Sequence, residues 1–368
     1  MGFRKINFEM KQLLLLFTLP FLPCFAGAQD LVHPGGMHTT SQLEAVRLQI
    51  RKKQSPTVEA FQQLLLYADS ARTAAPNAMT VFSVPGYYVD AEGHRRNSRA
   101  LQKDAFNAYA AALAAQLTGK KQYTMTALRF LNDWGAKNTG YSDADGPLVM
   151  AYSGTAMIMA ADLLYHAPEW HAEDKALFTK WVRSVYKKAC DEIRNRKNNW
   201  ADWGRYGSIL AAHYLNDRNE IRENIRLIKS DLADKIDDDG SMPHETKRGA
   251  NGIWYTYFSL APITSACWVA HNTTGENIFT YEQRGRSLKK ALDYLLHYTL
   301  QPESWPWFDK PNRGSESRWP GNLFEALSEI YRDERYAGYS KKAQPICYPV
   351  HHFGWTFPTL MKPGLRID

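Results

Sequence analysis

Along most of this chain apolar side chains recur at the i, i+3, i+4 spacing of amphipathic helices, and strand-like alternation over more than four residues is rare. That period dictates a predominantly α fold. It is carried by segments 101–117, 123–134, 176–193, 206–215, 221–236, 253–270, 281–300 and 323–331. Turn-forming residues separate them, among them Asn138-Thr139-Gly140, Asp238-Asp239-Gly240 and Pro302. Successive antiparallel helix pairs of this length pack as a bundle, a solenoid or a closed α/α toroid. No fixed period of about 34 or 40 residues marks a regular repeat array.

The first residues have a different logic. Arg4, Lys5 and Lys11 form a basic start, Leu13 to Phe25 an apolar run, and Ala26-Gly27-Ala28 a small-residue stretch ahead of Gln29. This is the layout of a secretory signal, expected over residues 1–28, and its apolar run is too short for the roughly 20 residues of a membrane span. Cys24 is a poor lipidation site because Pro23 precedes it. A periplasmic or secreted protein is expected, with one domain over residues 29–368, since no Pro/Gly/Ser-rich linker divides it. Cys190, Cys267 and Cys347 form too sparse a set for a disulfide framework or a cysteine-rich zinc site, and at most one bridge can form. The formal charge is +7. Removing the signal segment leaves the chain basic and suited to polyanions. An exported chain with no basic tract or nucleic-acid motif points to an acidic polysaccharide rather than nucleic acid. A monomer without cofactor or metal is the expected working form.

Two segments carry residues suited to chemistry. The first, Lys197 to Tyr206, opens a helix with Asn198-Asn199 and then places Trp200 and Trp203 three residues apart, followed by Arg205. Either asparagine also suits a helix N-cap. The second runs from Asp239 to Tyr255 and brings His244, Arg248 and Tyr255 within twelve residues, at the passage from a polar loop to an apolar helix. Eliminating across a uronate requires a donor for the C6 carboxylate, a base for the weakly acidic C5 proton, and an acid for the departing O4. Asn199 and Arg248 suit the first task; His244 and Tyr255 suit the other two. A cation such as Arg248 next to Tyr255 is expected to favour the tyrosinate.

Together the two segments, with the opening His33-Pro34-Gly35-Gly36-Met37-His38-Thr39, resemble the alginate lyase family of α/α-toroid polysaccharide lyases. The resemblance implies a single, incomplete α/α barrel of antiparallel helix pairs and metal-independent β-elimination on alginate or a related polyuronate. It also implies that Asn199 and Arg248 bind the substrate carboxylate and that Tyr255 acts as acid and often as base. The family commonly has a histidine directly after the Asn pair, where this chain has Trp200. Either Tyr255 then performs both proton transfers, or another histidine such as His244 or His213 reaches the site. The likeness extends to Ala151-Tyr152-Ser153-Gly154, with Tyr152 expected to line the cleft.

Aromatic residues outside the helical spacing (Tyr87, Tyr88, Trp200, Trp203, Trp305, Trp307, Trp319 and Trp355) suit either sugar faces or a toroid's wide core. Trp307, Arg313 and Arg318, in a turn-rich stretch, are further candidates for the cleft. Metal catalysis lacks a ligand motif: His351-His352 are adjacent and point apart in regular structure. A glycoside hydrolase needs two carboxylates about 5–9 Å apart, for which Asp202, Glu245, Glu316 and Glu325 are available without a motif. A non-catalytic sugar-binding protein of the same fold would keep the Trp and Arg residues and lose the acid/base pair.

Overall fold

The helical period becomes a set of helices that differ in how many sides they bury. In this computed structural model the described residues are 1–3, 31–142 and 144–364. The signal-peptide expectation and Cys24 rest on residues that lie outside them. The helices belong to the compact unit that begins at Leu31. They start with α1 (Thr40–Arg51), α2 (Thr57–Thr73), α3 (Ala91–Thr118), α4 (Lys121–Lys137) and α5 (Gly146–Leu163). Next come α6 (Ala172–Trp181), α7 (Lys187–Ile193), α8 (Asn199–Tyr214), α9 (Arg218–Lys235) and α10 (Pro243–Thr246). The last are α11 (Gly252–Thr274), α12 (Leu288–Leu300), α13 (Gly321–Tyr331) and α14 (Glu334–Lys341). Asp90, Asn198, Asp217 and Ser287 cap α3, α8, α9 and α12, each side chain accepting a backbone N–H two or three residues on.

α3, α5, α8 and α11 stand side by side as an inner row, α3 against α5, α5 against α8 and α8 against α11. α2 and α4 cover α3, α7 covers α5 and α8, α9 covers α8, and α12 covers α11. The outer helices bury one stripe each: α9 turns Ile221, Ile225, Ile228 and Leu232 inward. Of the inner ones, α5, α8 and α11 are buried almost all round, whereas α3 exposes Arg95, Arg96 and Arg99 in its first half. Every residue of α5 is buried, as is every residue of α11 from Thr256 to Ala270.

Two non-helical segments close the inner row. The carboxyl-terminal stretch runs down its middle: Phe353 and Phe357 stack on Phe106 of α3, and the Phe353 N–H donates to the Tyr152 carbonyl of α5. Tyr206 of α8 donates to the Phe353 carbonyl, and Trp355 Nε1 donates to Thr264 Oγ1 of α11 at 2.9 Å. At the other end, residues 31–39 cross the carboxyl ends of the same helices. Trp268 Nε1 donates to the Met37 carbonyl, Asn272 to the Gly36 carbonyl, and His38 bonds Tyr109.

The expected helix over 281–300 is shorter than the apolar spacing suggested. Residues 282–287 form a tight antiparallel hairpin around Gly285, at φ 71°, and α12 starts only at Leu288. α5 is a helix that the spacing left out. Cys190, Cys267 and Cys347 are all free thiols, so no bridge forms among the described residues. No described helix is long and apolar enough to cross a membrane.

Candidate active site

The inner helices run in one direction, so the amino-terminal halves of α5, α8 and α11 come together at one mouth. There they join the Tyr87-Tyr88 loop and the start of α3 around a cleft of about 610 Å³. Asn198 caps α8, its side chain accepting from the Trp200 N–H at 3.3 Å, which leaves Asn199 in the first turn, buried and lining the cleft. Glu245 of α10 fixes it: Oε1 accepts from the Asn199 backbone N–H at 2.6 Å and Oε2 from Nδ2 at 2.7 Å. The second Nδ2 hydrogen remains for a ligand. Burial, reinforced by the nearby Asp202 charge, pushes the Glu245 carboxyl up to about 7 against the lowering effect of Asn199.

Arg248 and Tyr255 approach the same cleft from either side of a short turn ahead of α11. The Arg248 guanidinium lies 4.1 Å from the centre of the Tyr255 ring and donates from Nη2 to the Tyr88 hydroxyl at 3.1 Å. Tyr88 and Tyr255 share a hydrogen bond of 2.8 Å between their phenol oxygens. Burial and the Tyr88 contact raise Tyr255 above the ordinary phenol value. Tyr88 moves the other way: burial pushes it up, but the hydrogen bonds to Tyr255 and from Arg248 outweigh that and lower it. Arg248 does pull Tyr255 toward its tyrosinate, as expected, but burial and Tyr88 outweigh it, so the net lowering expected at Tyr255 is corrected. Its hydrogen bond goes to Tyr88, and only its face lies on Tyr255.

Around this centre the wall is aromatic and basic. Trp200, Trp254 and Trp319 line it together with Tyr152, Arg95 and Arg99. Arg196 stacks on Trp200 at 3.8 Å, and Trp254 stacks on Phe258. Two histidines enter from outside both motif segments. His94 faces Asp145 at 3.2 Å, and His351 stacks on Tyr152 with ring centres 4.8 Å apart. Burial pushes His351 down to about 4, so it is a neutral imidazole at neutral pH. Asp145 is the one carboxylate among the described lining residues. Burial would raise it, yet His94 and the Tyr87 N–H hold it below the usual carboxylate value.

Of the residues singled out from sequence, the fold thus brings Tyr152, Asn199, Trp200, Arg248 and Tyr255 to one cleft, together with Tyr87, Tyr88, Trp319 and His351. It does not bring the others there. Trp203 is fully buried between Tyr152, Tyr206 and Phe258 because it faces inward on α8. Arg205 is buried on the outer side of α8, where it pairs with Asp231 and donates to the Arg194 carbonyl at 3.0 Å. His244 points to solvent from α10, and Trp307 is exposed, with its Nε1 donating to the Tyr294 hydroxyl at 3.1 Å. Arg313 and Arg318 are exposed outside the lining, although the neighbouring Asn312 belongs to it. His213 sits in the last turn of α8, at the end opposite Asn199. His94, Arg95, Arg99 and Trp254 were missed as site residues. The available signal was a Pro85-Gly86 turn presenting two tyrosines, followed by Arg95 and Arg99 one helical turn apart.

The double layer of antiparallel helices is the α/α toroid, and chains of that fold with known structures bear this out. An alginate lyase A1-III from Sphingomonas species A1 aligns with a TM-score of 0.72 at 17% identity, over 87% of this chain and 94% of that one. A Tyr-to-Phe variant of alginate lyase A1-III, complexed with tetrasaccharide, aligns at 0.71 and 18% identity, over 88% and 94%. An alginate lyase from Bacteroides ovatus aligns at 0.68 and 19% identity, over 85% and 96%. In sequence, the model of the alginate lyase family matches residues 48–305, and the chain belongs to that family. A curated polysaccharide lyase of Stenotrophomonas maltophilia (strain K279a) is 25% identical over 142 residues. That match spans 38% of this chain and 40% of the relative's length.

Proposed function

We propose that this protein is an exported, monomeric lyase that cleaves an acidic, uronate-containing polysaccharide, alginate foremost, by β-elimination without a metal in the reaction. The observation that carries the reading is the convergence of Asn199, Arg248 and the Tyr88–Tyr255 pair on one basic, aromatic cleft. Family membership and the oligosaccharide complex of a structural relative support a polysaccharide ligand. The layout of residues 1–28 supports export.

In the proposed reaction Asn199 Nδ2 and Arg248 hold the C6 carboxylate and stabilise the charge that spreads onto it as C5–H breaks. The Tyr pair manages the protons. Tyr255, kept protonated, gives its proton to O4 as the C4–O4 bond breaks and C4=C5 forms. Tyr88, which ionises more readily, is the acceptor end of the pair and takes up the proton lost from C5. This division meets the need created by Trp200, which cannot carry a proton. Trp200, Trp254 and Trp319 offer apolar faces to the sugar rings.

A hydrolase would need a second carboxylate across from Asp145. Asp202 is instead buried in an ion pair with Lys235, Glu245 is spent behind Asn199, and Glu325 is buried against Ser340 and Gln344. The test is ultraviolet absorbance of the conjugated, 4,5-unsaturated uronate during incubation with polymannuronate, polyguluronate and glucuronan, in the presence of a chelator. The expected result is a rise on at least one polymer, reduced on the order of a thousandfold in Tyr255→Phe. New reducing ends without that absorbance would make the protein a hydrolase, and binding alone would make it a sugar-binding protein.

A further inference from the structure

At the end of the toroid away from the cleft, three buried side chains from three parts of the chain converge: His33 of the crossing segment, Asp162 of α5 and His213 of α8. One ligand-type atom from each lies within 4.8 Å of the others. His33 Nδ1 is 2.6 Å from Asp162 Oδ1, and His213 Nε2 is 3.4 Å from the same oxygen without a hydrogen bond of its own.

The outward-facing nitrogens fix how the inward ones are turned. His33 Nε2 faces Asn216 Oδ1 at 3.2 Å, and that oxygen is fixed as an acceptor by the Leu31 N–H at 2.8 Å. His33 therefore donates from Nε2, and at 2.6 Å its Nδ1 and the Asp162 carboxylate must share a proton or a metal ion. His213 Nδ1 bonds Thr273 Oγ1 at 3.2 Å, which holds the ring with Nε2 turned toward Asp162. Two imidazole nitrogens and a carboxylate oxygen thus face one buried point, a donor set suited to a cation. Outer-nitrogen hydrogen bonds of this kind are what orient histidines at metal sites. The backbone is shaped to the cluster as well. The N–H groups of Gly35 and Gly36 donate to Asp162 Oδ2 at 3.1 and 2.9 Å, and a Cβ on Gly36 would stand 3.1 Å from the His213 ring.

We infer that His33, Asp162 and His213 form a structural site for a divalent transition cation of the zinc class, which fastens the amino-terminal segment to the inner helices. Nitrogen and carboxylate ligands suit that class, and bonds of about 2.0–2.1 Å set tetrahedral ligand atoms roughly 3.3 Å apart. The His213–Asp162 spacing already meets this; the His33–Asp162 pair has to open by less than about 1 Å, and the two histidine nitrogens, now within 4.8 Å of each other, have to settle at the same spacing. A surface groove lined by His33, His166 and Glu169 gives the ion a way in. Along α8 this point is roughly 20 Å from Asn199, so the ion takes no part in the cleft's chemistry.

The experiment uses tag-free, full-length mature protein, stripped with a chelator and titrated with zinc alone. Expected are about one tightly held equivalent per chain and a melting temperature several degrees higher with zinc. His213→Gln should lose both while binding polysaccharide as wild type does. Cobalt loaded into wild type should show the intense visible bands of a tetrahedral site, which keeps the test decisive if the variant does not fold. Uptake below about a tenth of an equivalent, or uptake and cobalt bands unchanged in His213→Gln, would overturn the assignment and leave the cluster a protonated hydrogen-bond clasp.

Discussion

Tyr88 and Tyr255 are chemically identical side chains whose oxygens lie 2.8 Å apart, and their surroundings pull their acidities in opposite directions. The working form of Tyr88 is its phenolate, and its value is lowered from 10.0. Activity should therefore rise with pH through an ionisation below the ordinary phenol range. Tyr88→Phe should remove that limb from a kcat/KM–pH profile and lower the rate by about 10²–10⁴-fold. A profile unchanged in the variant would assign the limb to another group. Glu245 makes a separate prediction. Its folded value of about 7 lies above the ordinary 4.5, so the folded state binds the extra proton and stability falls as pH rises from about 4.5 to about 7. The loss is on the order of 3 kcal/mol. In Glu245→Gln, melting temperatures across that range should flatten, while turnover drops on the order of tenfold because the new amide turns the Asn199 side chain around. Much of this site was legible in sequence, since Asn199, Arg248 and Tyr255 lie in two short motifs. That Tyr88 and His351, named only as a sugar-facing aromatic and as half of a histidine pair, join this centre was not, because each reaches the cleft from a loop about a hundred residues or more away from both motifs, and adjacency of that kind exists only in the folded chain.

Helix by helix, legibility followed burial only in part: the buried stretch of α11 was located, and α1 and α2, with wet faces, were not among the segments named. α4, α9 and α13 have one wet face, and the apolar spacing located them. α5 is buried all round, so GPLVMAYSGTAMIMAADL has no polar side to set a period, and a helix was left out there. Inner helices also pack closer than their sequences announce. A Cβ added at Gly204 of α8 would lie 2.6 Å from the Cys190 carbonyl oxygen and 2.8 Å from Arg194 Cα, both backbone atoms of the neighbouring helix end. Gly204→Ala should gain little helix propensity and lose more to forced separation, for a net destabilisation of about 1–3 kcal/mol. Thermal or urea unfolding checks this; an increase in stability would mean that α7 yields freely. Because α8 carries Asn199 at its start, activity should fall along with stability.

For the molecule as a whole, the common direction of the inner helices sets the field at the mouth. The amino ends of α5, α8 and α11 add their partial positive charge to Arg95, Arg99 and Arg248 around an opening whose described lining has one carboxylate, Asp145. Binding of a polyanion should weaken as salt rises, with KM increasing several-fold between low and physiological ionic strength and kcat changing less. A KM indifferent to salt would show that the aromatic wall, not charge, holds the substrate. The toroid itself was legible through its resemblance to a known family. Its central filling was not, since Phe353, Trp355 and Phe357 sit in a stretch without helical spacing. That filling has a topological result. With the carboxyl-terminal segment occupying the axis and residues 31–39 across the far side, the ring is a socket and not a bead: no polymer can be strung through it. A long chain has to settle across the rim from the side, and both fragments of a severed chain must depart through the same opening by which the whole one arrived.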